Sequence, residues 1–81
     1  MSKEITVYGT RWCGDCSRSK AVLDREGISY AWIDIGKDTD AREFVKSINT
    51  GMMSVPTIVF PDGSVLVEPT DRTLSEKLRA A

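Results

Sequence analysis

The sequence predicts one α/β domain built on a mixed four-stranded sheet, with its elements in the order β-α-β-α-β-β-α. Short apolar runs alternate with longer segments of helical periodicity, which favours a right-handed strand–helix–strand unit with parallel strands. The turn Pro61-Asp62-Gly63 separates two β-branched runs, which indicates an antiparallel hairpin. The chain has 81 residues, enough for a single domain over 1–81 with a modest core.

The first strand is predicted from Glu4 to Tyr8, and its few polar residues are typical of a central strand covered on both faces. A helix follows from about Cys13 to Glu26, with Leu23 on its inward stripe. Gly27 suits the left-handed residue beyond the helix end, and Ile28 can pack back on Leu23 as in a Schellman ending.

The second strand is predicted from Tyr30 to Ile35, a run rich in aromatic and β-branched residues. Asp40 and Glu43 resemble a capping pair at the start of the second helix, which is expected to end near Asn49. Apolar residues recur on one face of this helix at Ala41, Phe44, Val45 and Ile48.

Two strands and a helix are predicted for the last third of the chain. The hairpin strands are the runs from Thr57 to Phe60 and from Val65 to Val67. Either Thr70 or Thr73 can cap the last helix, whose apolar positions are Leu74 and Leu78.

Composition excludes several classes of partner. Eleven basic and twelve acidic residues give a net charge of −1, so no field favours nucleic acid or an anionic membrane surface. The apolar runs are far shorter than the roughly 18 residues of a membrane span, and no signal peptide is recognisable. We therefore expect a cytoplasmic protein with no nucleic-acid or membrane partner.

The segment Cys13-Gly14-Asp15-Cys16 is the candidate site. Two cysteines three positions apart at a strand-to-helix junction face the same way on the first helical turn. Amide groups without partners inside the helix, together with the helix dipole, favour an anion there, so the Cys13 thiolate is expected to be stabilised. Cys16 is close enough to form a disulfide with Cys13 or to resolve a mixed one.

A structural disulfide and a metal site are the alternatives for this cysteine pair. A zinc site needs about four ligands, whereas the chain has two cysteines and no histidine, so no metal site within the chain is expected. A permanent disulfide is disfavoured in a reducing compartment. Redox catalysis is the favoured interpretation, and a cluster shared between two chains stays open.

Several motifs resemble those of the glutaredoxin family over nearly the whole chain. The resemblance is strongest to the mycoredoxin branch, an actinobacterial group that works with mycothiol instead of glutathione. The motifs that carry the resemblance are Trp12-Cys13-Gly14-Asp15-Cys16, Val55-Pro56-Thr57 and Glu68-Pro69-Thr70, with Val7-Tyr8-Gly9, Asp34-Ile35 and Asp62-Gly63 in support.

The resemblance implies a thioredoxin/glutaredoxin fold and a thiol–disulfide oxidoreductase in which Cys13 is the nucleophile and Cys16 the second catalytic cysteine. It also implies a cis bond before Pro56, although the residues alone favour trans, as in most bonds before proline. The expected partners are proteins in mixed disulfides and a low-molecular-weight thiol as co-substrate. No bound cofactor and a monomer are expected.

The predicted substrate-binding residues are Arg11, Trp12, Val55, Pro56, Thr70 and Asp71. If the bond before Pro56 is cis, the Val55 backbone would face Cys13 and could hold a substrate chain in extended pairing. Arg11 is either a solvated loop charge or a cation that stabilises the thiolate, and Trp12 is either a core-edge ring or an exposed platform.

Two departures from the family pattern bear on the small thiol. Thr10 stands where glutathione-specific members usually carry Lys or Arg, with Arg11 one place later. Glu68 and Pro69 replace the two glycines of a Gly-Gly-x-Asp motif whose backbone amides hold glutathione. Since Pro69 has no N–H and Glu68 would repel a carboxylate, mycothiol is predicted as the co-substrate in preference to glutathione.

Three functional alternatives remain open at this level. Cys16 is dispensable if a second small thiol releases the product, but required in a dithiol route that ends in a Cys13–Cys16 disulfide. The protein could instead be a dithiol electron donor reduced by thioredoxin reductase. As a non-enzyme, it could carry an iron–sulfur cluster bridged between two chains.

Overall fold

The computed structural model describes residues 4–80, and this part of the chain contains four strands and three helices in the predicted order. The elements are β1 Ile5–Gly9, α1 Gly14–Arg25, β2 Tyr30–Asp34, α2 Thr39–Ile48, β3 Thr57–Val59, β4 Val65–Val67 and α3 Asp71–Arg79. No helix within residues 4–80 is long and apolar enough to cross a membrane.

The strands form one mixed sheet in the order β2-β1-β3-β4. β1 is parallel to β2 and antiparallel to β3, and β3 pairs antiparallel with β4. The pairing of Tyr8 with Thr57 brings the end of β1 beside the start of β3. The predicted central strand, parallel pair and hairpin are confirmed.

The sheet separates two apolar clusters, one on each face. On one face, Val22 and Leu23 of α1 and Leu74 of α3 pack with Val7 of β1. On the other face, Ala41 and Val45 of α2 pack with Ile35, and Tyr8 and Ile33 border this second cluster. Side chains along β1 point alternately to the two faces of the sheet, so this one strand contributes residues to both clusters.

The C-terminal end of α1 is a Schellman ending, as predicted. Gly27 has a φ of 71°, the amide of Ile28 donates to Leu23 O at 2.9 Å, and the amide of Gly27 donates to Asp24 O at 3.1 Å. These two bonds satisfy carbonyl groups that the helix leaves unpaired and return the chain toward β2.

The predicted start of α2 is wrong by two residues. Asp38, not Asp40, is the N-cap, and its side chain accepts a hydrogen bond from the Ala41 amide at 2.9 Å. Asp40 lies in the first turn, where its charge still favours the helix dipole. Phe44 and Ile48, predicted on the inward face, are 40% and 41% exposed, because the buried positions of α2 are Ala41 and Val45. The Phe44 ring still contacts the ring of Tyr8, with 5.2 Å between the two centroids.

Replacing Gly27 with Ala should destabilise the protein by about 1 kcal/mol, because an L-residue is strained at a positive φ. A Cβ at this position meets no atom within 4 Å, so the cost comes from the backbone alone. Denaturant unfolding measures the change. Gly14→Ala, in the first turn of α1, is the control and should lose no stability; an equal loss in both variants would contradict the backbone explanation.

Candidate active site

Cys13 is the N-cap residue of α1, at the end of the loop that follows β1. Its backbone is extended, and its Sγ atom accepts a hydrogen bond from the Cys16 amide at 3.2 Å. A sulfur thus takes the place that Ser, Thr, Asp or Asn usually fills at a helix start. The predicted position beside amide donors is confirmed, and such donors bind an anion more strongly than a neutral group.

Cys16 lies one turn further along α1 and has the opposite environment. Its side chain is 1% exposed, whereas Cys13 is partly accessible to solvent. Burial, together with the hydrogen bond between its thiol and Cys13, raises the pKa of Cys16 to about 12. Both cysteines are free thiols in this structure. The two sulfurs of the motif are therefore chemically distinct.

Gly9 makes room for the Cys16 sulfur. A Cβ atom on residue 9 would lie 2.6 Å from Cys16 Sγ and 2.7 Å from Cη2 of Trp32. The sulfur and the edge of the indole ring therefore meet over a strand position that no larger residue could fill. Sequence reasoning missed the structural role of Gly9 and Trp32 here; a glycine inside an apolar strand was the available signal.

Val55 and Pro56 lie directly opposite Cys13. The peptide bond between them is cis, as the family resemblance implied, and Pro56 is buried. Cys13 Sγ lies 3.7 Å from Val55 O, and as a thiol it donates a hydrogen bond to that carbonyl. The antiparallel pairing of β1 and β3 produces this contact, because it brings the segment before β3 to the end of β1 that leads to Cys13.

The start of α3 is tied to the same segment. The amide of Glu68 donates to Pro56 O at 2.8 Å, and Thr70 caps α3 by accepting from the Thr73 amide at 3.1 Å. Thr70 is the cap, so Thr73 is excluded as the alternative start. The predicted residues Thr70 and Asp71 are exposed, and they follow Glu68 by two and three positions in the chain.

Arg11 and Trp12 form the outer edge of the site. Trp12 is 83% exposed, which excludes the core-edge interpretation. The guanidinium carbon of Arg11 lies 5.4 Å from the centroid of the Trp12 ring, within the range of a cation–π contact. On the helix itself, Asp15 forms an ion pair with Arg18.

A groove of about 280 Å³ adjoins the site on the side of Thr10. Its walls are completed by Ile35, Gly36, Arg42 and Met53. Arg42 is held in place by donating from Nε to Ile35 O at 3.0 Å. Sequence reasoning did not find this groove, because its residues come from α2 and three separate loops and share no motif.

Within the described residues 4–80, no group of three or more His, Cys, Asp and Glu side chains converges in a way that could hold a metal ion.

The family model described as Glutaredoxin matches residues 5–66. The chain belongs to the glutaredoxin family. Members of this family are generally thiol–disulfide oxidoreductases that act on protein mixed disulfides with a low-molecular-weight thiol and need no bound cofactor.

Individual relatives agree with this assignment. A glutaredoxin-type protein of Mycobacterium tuberculosis is 43% identical over 78 residues, 96% of this chain and 93% of the relative. Mycoredoxin 1 of Corynebacterium glutamicum is 37% identical over 76 residues, 94% of each chain. The crystal structure of a glutaredoxin from Archaeoglobus fulgidus superposes with a TM-score of 0.79 at 32% identity, covering 95% of this chain and 87% of that one. The thioredoxin/glutaredoxin fold is thereby confirmed.

Limited alkylation of this glutaredoxin at neutral pH should modify Cys13 and spare Cys16, because only Cys13 is accessible and Cys16 stays a buried thiol. Iodoacetamide treatment of the fully reduced protein, followed by peptide mass spectrometry, measures the two rates. Unfolding in denaturant is the control and should bring the rates together. Equal labelling of both cysteines in the folded protein would contradict the difference in environment.

Proposed function

We propose that this glutaredoxin reduces mixed disulfides between proteins and a low-molecular-weight thiol, with the Cys13 sulfur as the nucleophile. The asymmetry of the two cysteines carries the proposal. Cys13 is accessible and accepts an amide hydrogen bond at the start of α1, whereas Cys16 is sealed behind it with a raised pKa. A sulfur that is reachable and hydrogen-bonded is suited to attack an incoming disulfide from solvent, and a buried protonated one is not.

In the first step the Cys13 thiolate attacks the small-thiol sulfur of the mixed disulfide. A bond forms between Cys13 and that sulfur, the original disulfide bond breaks, and the electron pair leaves with the protein sulfur, which takes up a proton. A second molecule of the small thiol then attacks the Cys13 mixed disulfide. The small thiol leaves as its own disulfide, and Cys13 returns to the thiolate.

The surroundings of Cys13 suit this chemistry. The carbonyl of Val55, 3.7 Å from the sulfur, lies where an extended substrate segment could pair with the backbone beside the reacting atom. The exposed ring of Trp12, the residue before Cys13, offers an apolar surface. We propose Arg11, Trp12, Val55, Pro56, Thr70 and Asp71 as the residues that bind the two substrates.

Mycothiol is the proposed small thiol. The likeness to Mycoredoxin 1 supports it, because the mycoredoxin branch is the one that works with mycothiol. The chemistry of the α3 start adds to this support. Glu68 presents a carboxylate next to the segment that faces Cys13, and Pro69 lacks the N–H that the glycine motif of glutathione-specific relatives would offer. We propose that one chain, acting as a monomer in the cytoplasm, suffices for the reaction.

A dithiol route is the second candidate. The hydrogen bond between the Cys16 thiol and Cys13 brings the two sulfurs together, which favours closure of a Cys13–Cys16 disulfide once Cys13 carries a mixed disulfide. The protein would then be an electron donor that requires a reductase.

Cys16→Ser should retain most of the de-thiolating activity, and Cys13→Ser should lose it to the uncatalysed background. The reason is that the second small thiol, not Cys16, releases the product in the proposed route. Turnover of one protein–mycothiol mixed disulfide, with mycothiol as reductant, measures both variants. Wild-type protein alkylated at Cys13 serves as a further inactive control, and loss of activity in both variants would instead favour the dithiol route.

Glu68→Gln should raise turnover with glutathione by up to about fivefold, since an exposed charge interaction is worth ~0.2–1 kcal/mol, and should leave turnover with mycothiol unchanged. The comparison uses the same mixed-disulfide substrate with each thiol. Glu76→Gln, farther along α3, is the matched control and should alter neither rate. If wild-type protein already uses glutathione as well as mycothiol, the proposed thiol preference is wrong.

A further inference from the structure

The buried Cys16 lies close to an aromatic ring, and a lysine side chain contacts the face of that ring. The edge of the Trp32 ring and Cys16 Sγ meet at the same point over Gly9. Lys20 comes one helical turn after Cys16 on α1, so the two side chains project from the same face of the helix. The Lys20 Nζ atom lies 4.0 Å from the centroid of the Trp32 ring, a close cation–π contact.

If Cys16 is to attack the mixed disulfide on Cys13, its buried thiol must first become a negatively charged thiolate. The attacking species in disulfide exchange is a thiolate, and burial strongly disfavours an anion at Cys16. A backbone hydrogen bond with Thr10 and, to a smaller extent, the positive charge of Lys20 act in the opposite direction and lower the pKa of Cys16. A lysine side chain is long and flexible, so its charge helps a buried neighbour only if the ammonium is held nearby. The ring of Trp32 holds it there.

We propose that Lys20, held on the ring of Trp32, is a positioning residue for Cys16 that stabilises the thiolate formed when Cys16 attacks a mixed disulfide on Cys13. The ammonium group touches neither the substrate nor the reacting disulfide, and it acts through the Cys16 sulfur. This inference concerns the dithiol route, and it rests on the first step of the proposed function, because it requires Cys13 to react first and to carry the small thiol.

The step balances without any further reactant. The Cys16 sulfur forms a bond to the Cys13 sulfur, and the bond between Cys13 and the small thiol breaks. The electron pair of the broken bond leaves with the small thiol, which takes up from solvent one proton for the one that Cys16 releases. Cys16 is oxidised and the small thiol is reduced.

A packing role is the competing explanation for Lys20. Its methylene groups could cover the face of Trp32 while the ammonium group has no effect on Cys16. The two explanations differ in what happens when the charge is removed and the apolar stem is kept. Lys20→Met makes that change, and Lys20→Arg restores a cation that can also lie over the ring.

Reaction of the reduced full-length protein with dithiobis(nitrobenzoate) separates the two cysteines. Attack by Cys13 releases one coloured nitrothiobenzoate in a first phase and leaves the other on Cys13. Attack by Cys16 then releases the second in a slower phase that does not depend on reagent concentration. Cys16→Ser identifies the second phase, because that variant should show the first phase only.

Lys20→Met should slow the second phase by at least about threefold and leave the first unchanged, and Lys20→Arg should restore the wild-type rate. A tenfold loss of thiolate slows attack only about threefold to fourfold, because the remaining thiolate is more nucleophilic. Lys37→Met, an equal charge change at an exposed loop position, is the matched control and should alter neither phase.

Four results would overturn the inference. An unchanged second phase in Lys20→Met would reduce Lys20 to a packing residue, and equal slowing of both phases would mean a general effect on the site. Slowing that Lys20→Arg does not rescue would point to the shape of the side chain instead of its charge. Absence of the first phase in wild-type protein would overturn the proposed role of Cys13 itself, and this inference with it.

Discussion

The hydrogen bond from the Cys16 amide to the Cys13 sulfur is the contact on which the rest of the site depends. It makes the first cysteine the cap of α1, so the same interaction starts the helix and holds the sulfur at its positive end. Because a cap residue lies outside the helical turn, its side chain stays partly open to solvent. Cys16, inside the first turn, is carried toward the sheet and buried.

The sheet places different groups around the two cysteines. Gly9 ends the central strand with no side chain, and the Cys16 sulfur and the edge of the Trp32 ring occupy the space that it leaves. On the other side of Cys13, the antiparallel neighbour β3 delivers the Val55 carbonyl to the sulfur. One cysteine therefore faces a backbone edge and solvent, while the other lies beside an aromatic ring that is in contact with a cation.

Just before α3, Glu68 combines an unusual backbone conformation with a negative charge. Glu68 has a φ of 48°, a left-handed conformation in which glycine costs nothing and glutamate is strained. The chain keeps this backbone shape and the hydrogen bond from Glu68 to Pro56, but adds a carboxylate at that point.

The sequence by itself was sufficient to determine the order of the elements, the mixed sheet, the Schellman ending at Gly27 and the place of Cys13 at a helix start. Each of these follows from local patterns: apolar period, turn residues and capping groups that lie within a few positions of one another. The start of α2 was misplaced because Asp38 and Asp40 are equally able to cap a helix, and only the packing of Ala41 and Val45 against the sheet chooses between them. The cis bond before Pro56 came from family likeness, since nothing local favours it.

Only the tertiary structure decided which groups surround the two sulfurs. Trp32 is distant in the chain from Gly9 and from Lys20, and its contact with Lys20 and its place beside Gly9 result from strand register and the position of α1. The groove bordered by Thr10, Arg42 and Met53 arises in the same way. Local propensity sets where a helix begins and which residue caps it, but the neighbours of a buried atom come from elements that meet only when the sheet forms.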